Sequence, residues 1–145
     1  MHMDDINQKL LNLLTANART PISDLARKLA LARTTVQARI ERLEHRGVIT
    51  GYTTKLGPSA APALRATALV VIEPRSAPAV LARLQSLSDV RRVHTTSGRF
   101  DLIVELHAHT TQELDATLDR IGEARGVKSS ESLIHLTTKL DRSGA

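Results

Sequence analysis

The chain has 145 residues, of which 41% are apolar, enough for the core of one ordinary domain or of two small ones. Aromatic residues make up only 1%, namely Tyr52 and Phe100, so the core must come from Leu, Ile, Val and Ala. Base stacking on aromatic platforms, as single-strand binders use it, is nearly excluded. Cysteine is absent, which removes disulfides, thiolate metal sites and a cysteine nucleophile and fits a reducing compartment.

The formal net charge of +5 is unevenly spread. Residues 1–60 hold nine basic and five acidic side chains, whereas residues 61–145 hold eleven and ten. The window 19–46 alone holds seven basic and three acidic groups. A basic excess speaks about partners rather than fold, so the halves read as two modules, one facing an anion and one nearly neutral. No run approaches the roughly 18 apolar residues needed to span a bilayer. The N-terminus lacks a basic-then-apolar leader pattern. The expectation is a soluble cytoplasmic protein with no membrane partner.

In chain order, Ile6, Leu10, Leu13 and Leu14 have helical spacing over about Asp4–Asn17, with Asp4 or Asp5 as cap. Arg19-Thr20-Pro21 breaks the pattern. Ser23 opens a second short helix with Leu25, Ala26 and Leu29 on one face, and Ala30-Leu31-Ala32 is a tight connection. A third helix spans about Arg33–Arg46, with Val36, Ile40 and Leu43 inward and Gly47 as its stop. Val48, Ile49 and Tyr52 read as a short strand. Residues 57–64, opening Gly-Pro-Ser-Ala-Ala-Pro-Ala, read as a linker.

The second half changes rhythm. Ala66–Glu73 reads as a strand, and Ser76 as the cap of a helix over about Ala77–Leu87. Val90–Thr96 and Asp101–His107 read as strands joined by the turn Ser97-Gly98-Arg99-Phe100. Thr110 or Thr111 caps a helix over about Gln112–Glu123, stopped by Gly126, and Val127–Leu136 is the last strand. The order β-α-β-β-α-β predicts a ferredoxin-like antiparallel sheet with two helices on one face. The fold class is therefore α+β. Its domains are a helix-turn-helix, winged-helix-like domain over 1–56, the linker 57–64, and a βαββαβ domain over 65–145.

Three short helices with a sharp turn before the third form a helix-turn-helix. At 100° per residue, the side opposite Val36, Ile40 and Leu43 carries Thr34, Ala38, Glu41 and His45, flanked by Thr35, Gln37 and Arg42. The N-terminal half of such a helix reads bases. Gln37 suits adenine, and the methyls of Thr34, Thr35 and Ala38 suit thymine. Lys28, Arg33, Arg39 and Arg42 surround this face as phosphate contacts, to which Ser23 and Thr34 can add hydrogen bonds. Glu41 would pair with an arginine one turn away or discourage wrong sequences. The bland alternative is a three-helix bundle with a solvated basic face. The density of basic residues on a compact triplet favours duplex DNA.

These segments also resemble a known family. Met3-Asp4-Asp5-Ile6-Asn7-Gln8-Lys9-Leu10-Leu11, Ala18-Arg19-Thr20-Pro21-Ile22-Ser23-Asp24-Leu25-Ala26 and the stretch Val36–Ile49 are similar to the three helices of the Lrp/AsnC (feast/famine) transcriptional regulators. The pattern Arg-x-x-Arg-Leu-Glu-x-x-Gly-x-Ile from Arg39 is the most specific part. Ser97-Gly98-Arg99-Phe100-Asp101 resembles the family's Gly-x-x-Asp turn. Ser130 and Ser132 fall where the family carries a Thr pair. Asn7 stands in place of a usual Asp, and Ala32 in place of a usual capping Ser.

The resemblance implies an ACT-like (RAM) second domain that dimerises through its sheet, belongs to assemblies up to octamers, and binds an amino acid at subunit interfaces. The residues support part of this. Strands 66–73 and 101–107 carry apolar side chains on both faces, and helices cover only one, so the other needs a second subunit. For the effector, Gly98 permits close backbone approach, Asp101 suits an amino group, and Arg99 suits a carboxylate. Ser97, Ser130 and Ser132 supply hydroxyls. Plain hairpin chemistry accounts for Gly98 and Asp101 equally well.

His107 and His109 share a strand spacing, but no thiolate or carboxylate accompanies them, so a surface or interface pair is expected rather than a metal site. His94 and His135 read as structural. No catalytic constellation or phosphate loop is present, so neither an enzyme nor a resident cofactor is expected. The expected function is sequence-specific regulation of transcription under control of an amino acid or related small molecule. The alternative is an architectural DNA-binding protein without effector control.

Overall fold

The computed structural model describes residues 3–143, so the outermost ends of the two domains expected from the sequence lie outside it. It divides into two compact units. Among the described residues, the first holds 3–55 and 140–143, and the second is Leu56–Lys139. The expected linker contains a turn: the amides of Ala60 and Ala61 donate to the Gly57 carbonyl at 3.0 and 2.9 Å.

The first unit holds α1 (Asp5–Ala16), α2 (Ile22–Leu29) and α3 (Arg33–His45). Asp4 caps α1 by accepting the Asn7 amide at 2.7 Å. The second helix begins one residue before Ser23, behind Pro21, whose fixed φ suits a helix start. It ends at Ala30, which takes a left-handed φ of 54° so that the chain can turn sharply into α3. Ala32 leads α3 with no side-chain cap. Beyond α3, Gly47 at φ 73° donates to the Glu44 carbonyl, and Val48 donates to Leu43, closing a Schellman stop. Leu10, Leu14, Leu25, Ala26, Val36 and Leu43 form the buried core, with Ile40, Val48 and Ile49 packed against it.

The strand expected at Val48–Tyr52 does not form. Residues 48 and 49 lie in the helix-exit turn, and residues 50–57 have no regular secondary structure and no sheet partner among the described residues. Val48 and Ile49 gain their burial from helix packing, so their apolar character does not report a ladder.

The second unit runs β1 (Leu64–Ile72), α4 (Ala77–Gln85), β2 (Val90–Thr95), β3 (Leu102–Ala108), α5 (Thr111–Gly122) and β4 (Val127–Ile134). The sheet order is β2-β3-β1-β4, antiparallel throughout. Ala66, Ala68 and Val70 of β1 and Leu102, Val104 and Leu106 of β3 meet Val80, Leu84, Leu114 and Ile121 of the helices in one core. Thr110 and Glu113 form a reciprocal capping box on α5. The buried Thr117 hydroxyl donates to Asp89 at 2.7 Å, tying α5 to the entry of β2.

Two local expectations fail. Ser76 does not cap α4: its backbone is already helical, and its hydroxyl donates to the carbonyls of Glu73 and Gly126. Gly126 does not stop α5, which ends at Gly122. It sits instead before β4 at φ 97°, where a Cβ would lie 2.6 Å from the Ser76 Cβ. No helix among the described residues is long and apolar enough to cross a membrane.

Candidate functional site

The buried stripe of α3 fixes what its other side presents. Val36 and Leu43 are fully enclosed, so Thr34, Thr35, Gln37, Ala38, Glu41 and Arg42 are exposed together. Ser23, Lys28 and Arg33 are exposed beside them on the same three-helix unit. Lys28, Arg33 and Arg42 have no ion-pair partner among the described residues, so their charge is available to an anion. Glu41 takes no arginine: its carboxylate accepts the Gln37 side-chain amide at 3.4 Å, a long bond that is easily exchanged.

Arg39, expected as a phosphate contact, has internal partners. It lies about 60° from Val36 around the helix, on the flank facing α1. There its guanidinium donates to Asp4 at 2.8 Å and to Asn7 at 2.9 Å, and its side chain is only 24% exposed. Its charge holds α3 against the start of α1. The Arg39 hydrogen bond, and then the Asn7 amide, hold the Asp4 carboxyl below its ordinary value of 3.8. Asn7 thus acts as a neutral acceptor in a structural clamp.

In the second unit, Ser97, Gly98 and Arg99 form the β2–β3 turn, with Gly98 at φ 110°. Arg99 lies over the Phe100 ring, 5.0 Å from its centroid. Asp101 is woven into the sheet. Its carboxylate accepts the Ile72 amide at 2.9 Å, and its own amide donates to Val70 at 2.8 Å. One carboxylate oxygen therefore braces the end of β1, where the β1–β4 register shifts. Ser130 and Ser132 stand opposite Val70 and Ala68 on the other flank of β1. The structure thus brings Asp101 and Ser130 to one level of the sheet. All six candidate effector residues are exposed, so a single chain presents a rim rather than an enclosed pocket.

The sheet face away from the helices carries Leu69, Val71 and Ile103, half-buried, and Leu133, 55% exposed. His107 lies at one end of this face, opposite Arg65. Burial, then Arg65 and Arg91, hold its imidazole below the ordinary value, a cationic setting that disfavours a metal. His109 lies past the end of β3, its amide donating to Glu113. His135 meets Thr67 at 2.8 Å, a structural contact.

A basic helix-turn-helix carried with a ferredoxin-like sheet whose helix-free face is unpartnered defines a DNA-binding protein with an appended ligand-binding module. Residues 3–44 match the AsnC-type helix-turn-helix domain, and residues 65–144 match the Lrp/AsnC ligand binding domain. The chain belongs to the Lrp/AsnC family of transcriptional regulators, a family of regulators rather than enzymes. It is 27% identical over 135 residues to the HTH-type transcriptional regulator FL11 of Pyrococcus furiosus, covering 92% of this chain and 89% of that one. The feast or famine regulatory protein of M. tuberculosis, solved in complex with L-methionine, is 29% identical with a TM-score of 0.84, covering 98% of this chain and 97% of that one. E. coli AsnC, at 24% identity, shares the fold with a TM-score of 0.89 over 99% of this chain and 98% of that one.

Proposed function

We propose that α3 reads the major groove of duplex DNA through Thr34, Thr35, Gln37 and Ala38, while Ser23, Lys28, Arg33 and Arg42 hold the phosphates. The observation that carries this reading is the exposed Thr/Gln/Ala strip flanked by cations that have no internal partner. Phosphate contacts set position and affinity, and base-edge contacts set sequence. Selection of bound fragments from random duplex DNA tests it. A recovered consensus with adenine or thymine facing the Gln37 position supports the assignment, and recovery of unselected sequence contradicts it.

The second unit is the dimerising and sensing module, and the effector is an amino acid held at a subunit interface around Ser97, Gly98, Arg99, Asp101, Ser130 and Ser132. The exposure of all six residues supports an interface site, as a second subunit can enclose what one chain leaves open. The L-methionine complex of the M. tuberculosis relative supports the ligand class. By this reading the effector changes DNA affinity by favouring one assembly over another. The protein works in the cytoplasm, where the DNA is. Calorimetric titration with each of the twenty amino acids tests the sensing role. Silence from all twenty would favour an architectural DNA-binding protein without effector control.

A further inference from the structure

Three arginines with no partner converge on one cleft of the second unit. Arg83 comes from α4, Arg120 from the last turn of α5, and Arg125 from the connection between α5 and β4. The cleft holds about 310 Å³. Ala79 and Ala124 line it with small side chains, which leaves the space between the guanidiniums open. Glu123 is its one acidic residue. None of the three guanidiniums has a hydrogen bond or ion pair among the described residues, and the Glu123 carboxylate pairs with none of them. The cleft therefore carries two net positive charges with nothing internal to neutralise them.

Basic residues near a helix C-terminus complement the helix dipole, which accounts for the sign of Arg120 and Arg125. It does not account for a cluster assembled from two helices and a connection around one cavity. Like charges brought together repel unless an anion joins them. A guanidinium presents a planar fork of donors that matches phosphoryl oxygens two at a time. A single carboxylate occupies one fork. Three forks with a net charge of two match a chain of phosphoryl groups.

We propose that the α4–α5 cleft binds a phosphoanhydride chain, as carried by a small inorganic polyphosphate or a nucleoside di- or triphosphate. Arg83, Arg120 and Arg125 hold its oxygens, and Glu123 weakens binding of simpler anions by repulsion. This site lies on the helical layer, apart from the β2–β3 turn, and gives the ligand-binding module a second, anionic input.

The full-length protein is titrated calorimetrically, without DNA, with inorganic phosphate, diphosphate, triphosphate and ATP. Affinity is expected to rise along the inorganic series. Equal binding of triphosphate and ATP assigns recognition to the phosphate chain, and tighter ATP binding assigns added contacts to the nucleoside. The double variant Arg83→Gln, Arg120→Gln should lose at least about tenfold in triphosphate affinity, as expected for removing charge-assisted hydrogen bonds. Glu123→Gln should tighten it by about threefold through lost repulsion, a change that a merely structural role would not produce. Circular dichroism melts establish that each variant is folded. Absence of heat with every anion overturns the proposal. So does loss of triphosphate binding in Arg33→Gln, Arg42→Gln with the cleft variant unaffected. Weakened duplex binding by the cleft variant, with no triphosphate binding by the parent protein, would make the cleft a DNA contact and also overturn it.

Discussion

Arg42 and Gln37 are both exposed on α3, yet they are assigned different tasks, and the difference can be measured. Arg42→Ala removes one phosphate contact, so binding to all sequences should weaken and the slope of log K against log salt should flatten by about one. Gln37→Ala should cost about 1–3 kcal/mol on the preferred site and little elsewhere, because it removes base discrimination. Fluorescence anisotropy over a salt series, on cognate and scrambled duplexes, separates the two. An unchanged preference in Gln37→Ala would sink its role. Arg39 belongs to a third kind. Its contact with Asp4 lowers the carboxyl pKa in the folded state below the 3.8 of the free group. A depressed carboxyl contributes stability that is present above its unfolded pKa and is lost as pH falls through the folded value. Asp4→Asn keeps a capping oxygen and removes the charge. Its melting temperature should be below that of the parent at neutral pH, and the two should converge as the pH falls below about 4. A gap that persists in acid would mean that the ion pair is not the cause.

At the scale of elements, most of the fold was legible because its signals are periodic. Val36, Ile40 and Leu43 mark α3, and Leu102, Val104 and Leu106 mark β3, and each set meets its core as the spacing requires. Apolar letters without a period misled at Val48–Tyr52, where burial comes from helices rather than a ladder. Ser76 misled because a serine before a helix can bond carbonyls as readily as amides, and only the fold brings Gly126 beside it. The direction of Arg39 and the meeting of Arg83 with Arg120 depend on helix packing, which spacing along the chain does not encode. The exposed face of α3 was legible, since it is the complement of a buried stripe; the bracing of β1 by Asp101 was not.

Ala32 has the extended backbone of an N-cap but no capping oxygen, so Ala32→Ser should stabilise the protein by about 1 kcal/mol. A higher midpoint in urea at unchanged slope is the expected result, and an unchanged midpoint would show that the α3 amides are already satisfied. Gly126→Ala should destabilise by about 3 kcal/mol or more, because strained φ and overlap with Ser76 add together. The same unfolding measurement checks it. A loss below about 1 kcal/mol would mean that Ser76 and the α4 entry yield easily.

For the molecule as a whole, the decisive surface is the sheet face that the helices leave open. Leu69 sits opposite Ile103 there, with Val71 and Leu133 nearby, and none of the four is fully covered in a single chain. On the proposed reading, a second copy laid on this face would remove that apolar area from water and couple two α3 helices, so that two half-sites on DNA would be engaged together. Ile103→Lys places a charge at the centre of this contact without touching the helix-side core, so the chain should remain folded. It should become monomeric by light scattering. Loss of the second helix removes the effective-concentration gain, so affinity for a two-fold DNA site should fall by about a hundredfold, while binding to an isolated half-site should change little. The slope of log K against log salt should drop by about half, since half of the phosphate contacts are gone. A folded Ile103→Lys protein that stays dimeric would place the contact elsewhere. A monomer that keeps full affinity would mean that one α3 suffices, and would separate DNA reading from assembly in this chain.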